Sequence, residues 1–372
     1  MTEQEILTFI NKILGEGSSI ISPVLGGMMN VSYLLKDKYD KKYILYLPTE
    51  QANEMVDRPL EKEHQRIVYE LGLTSKNVYF DTDTGIKINE FIEGQSLDKV
   101  YEFNYDKVAG LFKKLHNSII LSRSDYAPFT RFTDIYEKEA LSYIEKQNPT
   151  YQSLRDFLFS KRDFLESQRL TLCHNDAQRS NVVKTPNDEY YFIDFEFMGN
   201  NDPIYDIAAF GNGEVSEGRK LLDCYYGDNP SDNEIRRYYL WRIFISLQWY
   251  NVAITKHYRG EGEKHHFNFL DVAKHFLNNA KNAYDGYQLE IQDDEVRDDT
   301  EKLIITTLDK VRHFLRKDGG DCEFVSFKDG VVYVRMHGAC AGCSYAYNDI
   351  KDLVEVILQE EVPGVVEVRL YE

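Results

Sequence analysis

Apolar residues recur along this chain in changing rhythms, and each change marks a new region. Between Gln4 and Leu14, the residues Ile6, Phe9, Ile10, Ile13 and Leu14 fall on one helical stripe. Short strands follow, one of them entered through Leu25-Gly-Gly-Met-Met-Asn-Val-Ser-Tyr-Leu-Leu35, the next being Tyr43-Ile-Leu-Tyr-Leu47 beyond the charged turn Lys36–Lys42. Pro59 opens a helix to Leu71 that carries Leu60, Ile67, Val68 and Leu71 and is closed by Gly72. Strands at Asn77–Phe80 and Gly85–Ile92 complete a five-stranded region. From Leu97 to about Tyr287 helical spacing takes over, through Tyr105–His116, Thr133–Lys146, Leu154–Ser167 and Tyr238–Ala253. The last region changes again. Ile304, Leu308, Val311 and Leu315 form a stripe ended by Gly319-Gly320, and Cys322–Phe327 and Val331–Met336 alternate around Lys328-Asp-Gly330, a hairpin signal. A helix carrying Ile350, Leu353, Val354, Ile357 and Leu358 precedes Val362-Pro-Gly and a final strand to Leu370.

Composition narrows the class. A chain of 372 residues exceeds one ordinary core, so two or three domains are expected. Hydrophobic content of 42% with 28% charged residues describes a soluble globular protein. No apolar run approaches a membrane span, and Met1-Thr-Glu-Gln-Glu5 is too acidic for a signal peptide. The formal charge of −18 argues against nucleic acid, which needs a basic surface. Five cysteines without a signal peptide read as reduced thiols in the cytoplasm, where the close pair near the C-terminus suggests a metal or redox site. Gln292-Asp-Asp-Glu-Val-Arg-Asp-Asp-Thr300 is a charged run, read as a solvated linker.

The chemistry concentrates in Leu172-Cys-His-Asn-Asp-Ala-Gln-Arg-Ser-Asn-Val-Val183 and in Phe192-Ile-Asp-Phe-Glu-Phe197. Asp176, then Asn181 five residues on, then Asp194 at the end of a second apolar run is what ATP-dependent phosphoryl transfer needs. One carboxylate deprotonates the attacking hydroxyl, while an amide oxygen and a second carboxylate hold Mg²⁺ against the phosphates. A polar loop followed by a strand ending in Asp is common, but the joint spacing of His174, Asp176, Asn181 and Asp194 is not. Cys173-His-Asn-Asp-Ala-Gln with Asn181, then Ile193-Asp-Phe-Glu, resembles the choline/ethanolamine kinase family of the aminoglycoside-phosphotransferase-like fold. The resemblance implies a protein-kinase-like α+β fold, with a small five-stranded N-lobe at 1–93 and a mainly helical C-lobe at 94–290. It implies Asp176 as catalytic base, Asn181 and Asp194 as Mg²⁺ ligands, Glu196 as the second acid of an Asp-x-Glu step, and Asp206 as a support of the loop. Gly26, Gly27 and Asn30 match the family's loop over ATP, and Asn89-Glu-Phe-Ile-Glu-Gly94 its hinge, with Glu90 and Ile92 at the adenine.

Two features stay open at this level. Glu61 and Glu63 flank the stripe of their helix symmetrically; family spacing favours Glu63 as the carboxylate that pairs with a basic residue on the preceding strand. That basic residue is missing, because alignment puts Tyr46 at its position, and Lys42 lies about 13 Å away along the strand. A slow kinase is expected unless another cation reaches the phosphates. Choline-type kinases carry aromatic residues in the Tyr238–Ala253 helix, so Trp249 and Tyr250 are candidates for holding a quaternary ammonium by cation–π attraction. They diverge on the helix, so one of the two is expected to line the site.

Asp318-Gly-Gly-Asp, His337-Gly-Ala-Cys-Ala-Gly-Cys and Val362-Pro-Gly-Val resemble the C-terminal NifU-type iron–sulfur scaffold domain over 299–372, joined by a linker at 291–298. Two thiolates cannot fill a four-ligand site, so Cys340 and Cys343 call for a matching pair, most economically from a second subunit of a homodimer around a four-iron cluster. A buried unliganded pair, shared zinc and a dithiol switch are the competing readings. Cys322 is read as a strand residue. The whole is read as an ATP- and Mg²⁺-dependent kinase of choline or a related amino alcohol, with an iron–sulfur scaffold that could serve apo iron–sulfur proteins. The alternative is an iron–sulfur carrier whose kinase-like part binds nucleotide with little turnover.

Overall fold

The computed structural model describes residues 1–24, 29–143, 148–262, 268–291, 299–316, 320–338 and 344–371. The chain divides into two compact units. The first comprises 1–115, 122–126 and 173–200; the second comprises 116–121, 127–172 and 201–372.

In the first unit a five-stranded antiparallel sheet is built from β1 (Ser19–Val24), β2 (Asn30–Lys36), β3 (Lys42–Pro48), β4 (Asn77–Phe80) and β5 (Lys87–Glu90), in the order β1-β2-β3-β5-β4. Helix α1 (Glu3–Leu14) starts with a capping box between Thr2 and Glu5. Its Ile6 and Ile10 pack with Leu35, Tyr43, Leu45 and Ile88 of the sheet. Helix α2 (Glu50–Met55) is short, and α3 (Arg58–Glu70) has Asp57 as N-cap and a proline in its first turn. Strand β6 (Gln95–Ser96) and helix α4 (Tyr105–His116) lead away from the sheet. Gly94 lies where a Cβ would collide with the Lys184 carbonyl, so only glycine lets the two backbones approach. After β7 (Thr171–Cys173), β8 (Val182–Lys184) and β9 (Tyr190–Phe192) form a hairpin, with β6 at its edge.

The second unit is mainly helical. The expected helix over Thr133–Lys146, whose last three residues lie outside the described ones, is instead α5 (Pro128–Arg131), one π-turn at Phe132–Glu137 and α6 (Lys138–Tyr143). Within it the Thr133 hydroxyl donates back to the Phe129 carbonyl at 3.2 Å, competing with the regular ladder. The expected helix over Leu154–Ser167 is likewise two, α7 (Pro149–Ser160) and α8 (Arg162–Glu166). Short strand β10 (Gly199–Asn201) precedes α9 (Pro203–Phe210) and α10 (Val215–Tyr225); α11 (Asp232–Tyr258) runs 27 residues and packs against α12 (Phe269–Glu290). Trp241 and Phe244 of α11 are buried in an aromatic cluster with Phe129, Phe132 and Tyr205.

The C-terminal part of this unit holds α13 (Asp299–Leu315), β11 (Gly320–Lys328), β12 (Val331–Gly338), α14 (Ser344–Glu361) and β13 (Glu367–Leu370). β11 and β12 are antiparallel; β13 joins β12 in parallel. Asp329 and Gly330 both take positive φ (52° and 81°) at the hairpin turn, as the Asp-Gly signal requires. One face of the sheet packs Cys322, Phe324, Val332, Val334 and Met336 against Ile304, Leu308 and Val311 of α13 and Val354 and Leu358 of α14. Cys322 is a fully buried strand residue.

Candidate active site

The hairpin is held open by its own backbone. Asn175 and Asp194 both adopt left-handed conformations, φ 62° and 67°, that side chains with a Cβ rarely take. Asn175 anchors the first of these by donating from Nδ2 to the carbonyls of Phe197 and Gly199, at 3.0 and 3.2 Å. His174 staples the loop to the strand that delivers Asp194. Its Nε2 lies 2.9 Å from the Ile193 carbonyl, and its Nδ1 accepts the Asp176 N–H at 3.3 Å, which fixes the proton on Nε2.

Asp176 and Asn181 are directly bonded. The amide of Asn181 donates to the Asp176 backbone carbonyl at 2.8 Å and to Oδ2 at 2.9 Å, and Gln178 Nε2 reaches Oδ1 at 3.1 Å. Because Asn181 uses its NH₂ on Asp176, its carbonyl oxygen remains as an acceptor. Burial, and then the negative charge of Asp194, push the Asp176 carboxyl well above the usual carboxylate range, against the lowering effect of Gln178 and Asn181. Asp194 is pushed up to about 7, first by burial and then by Glu196, with Lys87 opposing. Its Oδ1 is buried and has no hydrogen-bond partner. A carboxylate oxygen in that state fits a divalent cation, which would supply the missing charge and ligand at once.

Helix α3 and strand β5 close the site with charges that the sequence pattern had left unassigned. Glu61 is 2% exposed and pairs with Arg58 Nη1 at 2.6 Å and with Lys87. Glu63, the residue favoured from family spacing, is half-exposed and lies 3.5 Å from Arg123. In this structure the pairing carboxylate is therefore Glu61 and not Glu63. The physical reason is register, since Glu61 stands one turn after the buried Arg58 and shares its face. Lys87 sits opposite Tyr46 in the β3–β5 ladder, its ammonium 4.9 Å from the Tyr46 ring centroid, and is buried. Burial alone would lower the Lys87 pKa, but Glu61 and Glu196 overrule it and raise it, so the ammonium stays charged. The cation absent from β3 is thus present one strand over. Lys42, by contrast, reaches outward to Glu93 at 2.7 Å. The signal for Lys87 is the lone lysine at an inward-facing position of Gly85–Ile92, which acquires its meaning only through its pairing with Tyr46 across the ladder.

Glu196 accepts from Asn30 Nδ2 at 2.9 Å and from Arg58 Nη1 at 3.1 Å, and lies 3.7 Å from Lys87. All three contacts fall on its Oε1, and Asn30 Oδ1 is a second buried acceptor without a partner. Gly26 and Gly27 lie outside the described residues, as do Cys340 and Cys343. At the hinge, the Glu90 N–H donates to the Lys76 carbonyl at 2.9 Å, the Glu90 carbonyl accepts from Ser75 Oγ at 2.6 Å, and Ile92 is half-buried. In the second unit, Trp249 stacks on Phe276 with centroids 5.7 Å apart. Tyr250 stacks on Tyr151 at 5.0 Å, so the two candidates face different helices. Asp206 bonds His116 Nε2 at 3.0 Å in full burial.

Residues 21–239 match the choline/ethanolamine kinase family model, more than half of the chain. The chain belongs to the choline/ethanolamine kinase family. LicA of Haemophilus influenzae is 25% identical over 216 residues, 55% of this chain and 60% of that protein. The choline kinase LicA of Streptococcus pneumoniae, in crystal form, is 27% identical, with a TM-score of 0.58 over 77% of this chain and 99% of its own. A LicA structure in complex with AMP is similar to the same degree, 27% identical with a TM-score of 0.56. The fold is that of the choline kinases and aminoglycoside phosphotransferases. Beyond the kinase family's stretch, residues 304–369 match the NifU-like domain model. There the mitochondrial iron–sulfur scaffold homologue NFU1 of Drosophila persimilis is 38% identical over 77 residues, 20% of this chain and 27% of that protein. The chain spans 60% of the first of these curated relatives and 27% of the second, less than two thirds of each. Among the described residues no helix is long and apolar enough to cross a membrane.

Proposed function

We propose that the chain transfers the γ-phosphoryl group of ATP to the hydroxyl of choline or a related amino alcohol. The observation that carries this reading is the Asp176–Asn181 pair beside a buried Asp194 oxygen without a partner. Asp176 accepts the hydroxyl proton as the substrate oxygen bonds the γ-phosphorus and the bond to ADP breaks. Its raised affinity for a proton suits it to that step. Asn181 fixes the carboxylate and Gln178 limits its rotation. Asn181 and Asp194 would hold Mg²⁺, which when bound neutralises phosphate charge. Lys87, kept ionised by Glu61 and Glu196, is the cation placed to meet the phosphates in place of a β3 base. Asn30, with Gly26 and Gly27, covers the nucleotide, and the segment from Glu90 to Ile92 meets the adenine. Trp249 or Tyr250 takes the quaternary ammonium. The similarity to a LicA bound to AMP supports the nucleotide part.

Asp176→Asn is expected to lower kcat by about a hundredfold or more while leaving ATP affinity nearly intact. Wild-type kcat in that variant would overturn the assignment of the base.

The NifU-like match favours a second activity alongside the first. Cys340 and Cys343 supply two soft thiolates, half of the set a four-iron cluster needs, and a second copy of the chain supplies the rest. Such a cluster would pass to apo iron–sulfur proteins in a reducing, cytoplasmic setting. If the kinase part binds nucleotide without turnover, this carrier role is the main one. Anaerobic reconstitution should produce iron–sulfur absorbance together with a monomer-to-dimer shift, both lost in Cys340→Ala. A fully loaded monomer, or stoichiometric zinc, would refute the shared cluster.

A further inference from the structure

The sheet of the NifU-like domain has two faces, and its own helices pack their apolar residues against only one. Period-2 alternation puts Glu323 of β11 and Arg335 and His337 of β12 on the other. An outer sheet face carrying two charges and an imidazole belongs in water, yet Glu323 and Arg335 are only 7% and 9% exposed. Helix α11 and the turn before it supply their partners, with the Arg335 guanidinium lying over the Tyr226 ring at 4.8 Å. Arg237 donates from Nη2 to Glu323 Oε1 at 2.9 Å and from Nη1 to Asp202 Oδ1 at 3.0 Å. Glu234, on the same helix, pairs with Arg335, whose Nη2 also reaches the Asn229 carbonyl at 3.1 Å. Tyr371, just past β13, donates its hydroxyl to Asn229 Oδ1 at 2.7 Å.

The charges match across the seam. Asp202, Glu234 and Glu323 face Arg237 and Arg335, with His337 Nε2 3.1 Å from the second oxygen of Glu323. A buried charge without its partner is strongly destabilising, so surfaces joined by chance do not bury complementary ones. The far end of this chain of bonds is structural too. Asp202 caps α9 at the Ile204 N–H, 3.0 Å away, and takes the indole N–H of Trp241 at 2.8 Å. The near end is His337, on the strand that runs into Gly338-Ala-Cys340.

We propose that Glu234 and Arg237 of α11 form a docking surface whose occupant is the outer sheet face of this chain's own NifU-like domain. The strand that leads to the cysteine pair is thereby tied to the helical core of the kinase-family part, and the two fold and open together. The joining of these two domains is then a built interface. The inference does not depend on what the kinase-family part phosphorylates.

Hydrogen exchange on the full-length, metal-free chain tests this. Arg237→Met should accelerate the amides of 320–338 by at least about tenfold, together with those of α11, while the first unit keeps its wild-type rates. Glu323→Gln should do the same, and the double variant should be little worse than either single one, because both remove one shared bond. Lys328→Ala, at the exposed hairpin tip, should change nothing at the seam. Acceleration confined to α11, or strictly additive effects, would overturn the proposal. If Arg237→Met does not fold, Tyr371→Phe removes one seam hydrogen bond and no charge. Faster exchange on both sides then supports docking, and on one side only refutes it.

Discussion

Two buried charge clusters in this protein use the same residue types and end in opposite states. At the candidate active site, four carboxylates (Glu61, Asp176, Asp194 and Glu196) act on one another beside two cations, Arg58 and Lys87, which pair directly with Glu61 and Glu196. The shortfall shows in an Asp194 oxygen without a partner and in the Asp176 and Asp194 carboxyls, both raised above the ordinary carboxylate range. At the seam, three carboxylates face two guanidinium groups and an imidazole. There burial would raise Glu323, but Arg237 and His337 hold it at about 2. Burial acts alike on both, so what separates a working site from a structural lock is compensation. The uncompensated cluster leaves negative charge and an unpaired oxygen that a cation would satisfy; the compensated one does not.

The comparison predicts its largest effect at Glu61, which serves both active-site cations. Glu61→Gln should destabilise the first unit by about 3–5 kcal/mol, because Arg58 and Lys87 lose their main counter-charge in full burial. Glu63→Gln removes only a half-exposed contact and should cost well under about 1 kcal/mol. Urea unfolding of the two variants side by side measures the difference. Equal losses would return the pairing role to Glu63.

A smaller effect is expected at Lys87. Lys87→Met should lower kcat/KM for ATP about ten- to a hundredfold, the usual cost of a charge-assisted phosphate contact. Tyr46→Arg in that background should recover part of the loss, since position 46 lies directly across the ladder from 87. The same change in the wild type would crowd a third cation beside Arg58 and Lys87 and should bring no gain. Wild-type kinetics in Lys87→Met would show that neither strand supplies the phosphate contact.

Much of this was legible in the sequence because the signals were local. The Asp176, Asn181 and Asp194 spacing, the five strands, and the Asp-Gly hairpin of the last domain are each written within about twenty residues. The choice between Glu61 and Glu63 was not, because the apolar stripe of α3 is flanked evenly by both. Only the buried Arg58, itself polar, reveals which side faces inward. Lys87 was hidden for a related reason: its role follows from pairing with Tyr46 across 41 positions of sequence, which no periodicity reports. The seam was least legible of all. Arg237 and Glu323 are 86 residues apart, and each alone reads as an ordinary surface charge of an acidic protein.

The smallest effect separates the two clusters by pH. Glu323 is held at about 2 against an ordinary value of 4.5, so its contribution to stability is complete above 4.5 and fades as pH falls toward 2. Asp194 runs the other way. Raised from 3.8 to about 7, it favours the folded metal-free protein fully below 3.8, and that contribution is lost as pH rises through 7. Each group contributes at most about 1.4 kcal/mol per pH unit. Raising a metal-free sample from about pH 5 to about pH 7.5 should therefore weaken the first unit, while Glu323, ionised across that range, brings no change of its own at the seam, as hydrogen exchange would resolve segment by segment. Mg²⁺ should restore the first unit at the higher pH and do little at the lower, where the proton on Asp194 competes for the same oxygen. If Mg²⁺ stabilises equally at both, Asp194 is ionised throughout, and the contrast between an uncompensated and a compensated cluster fails.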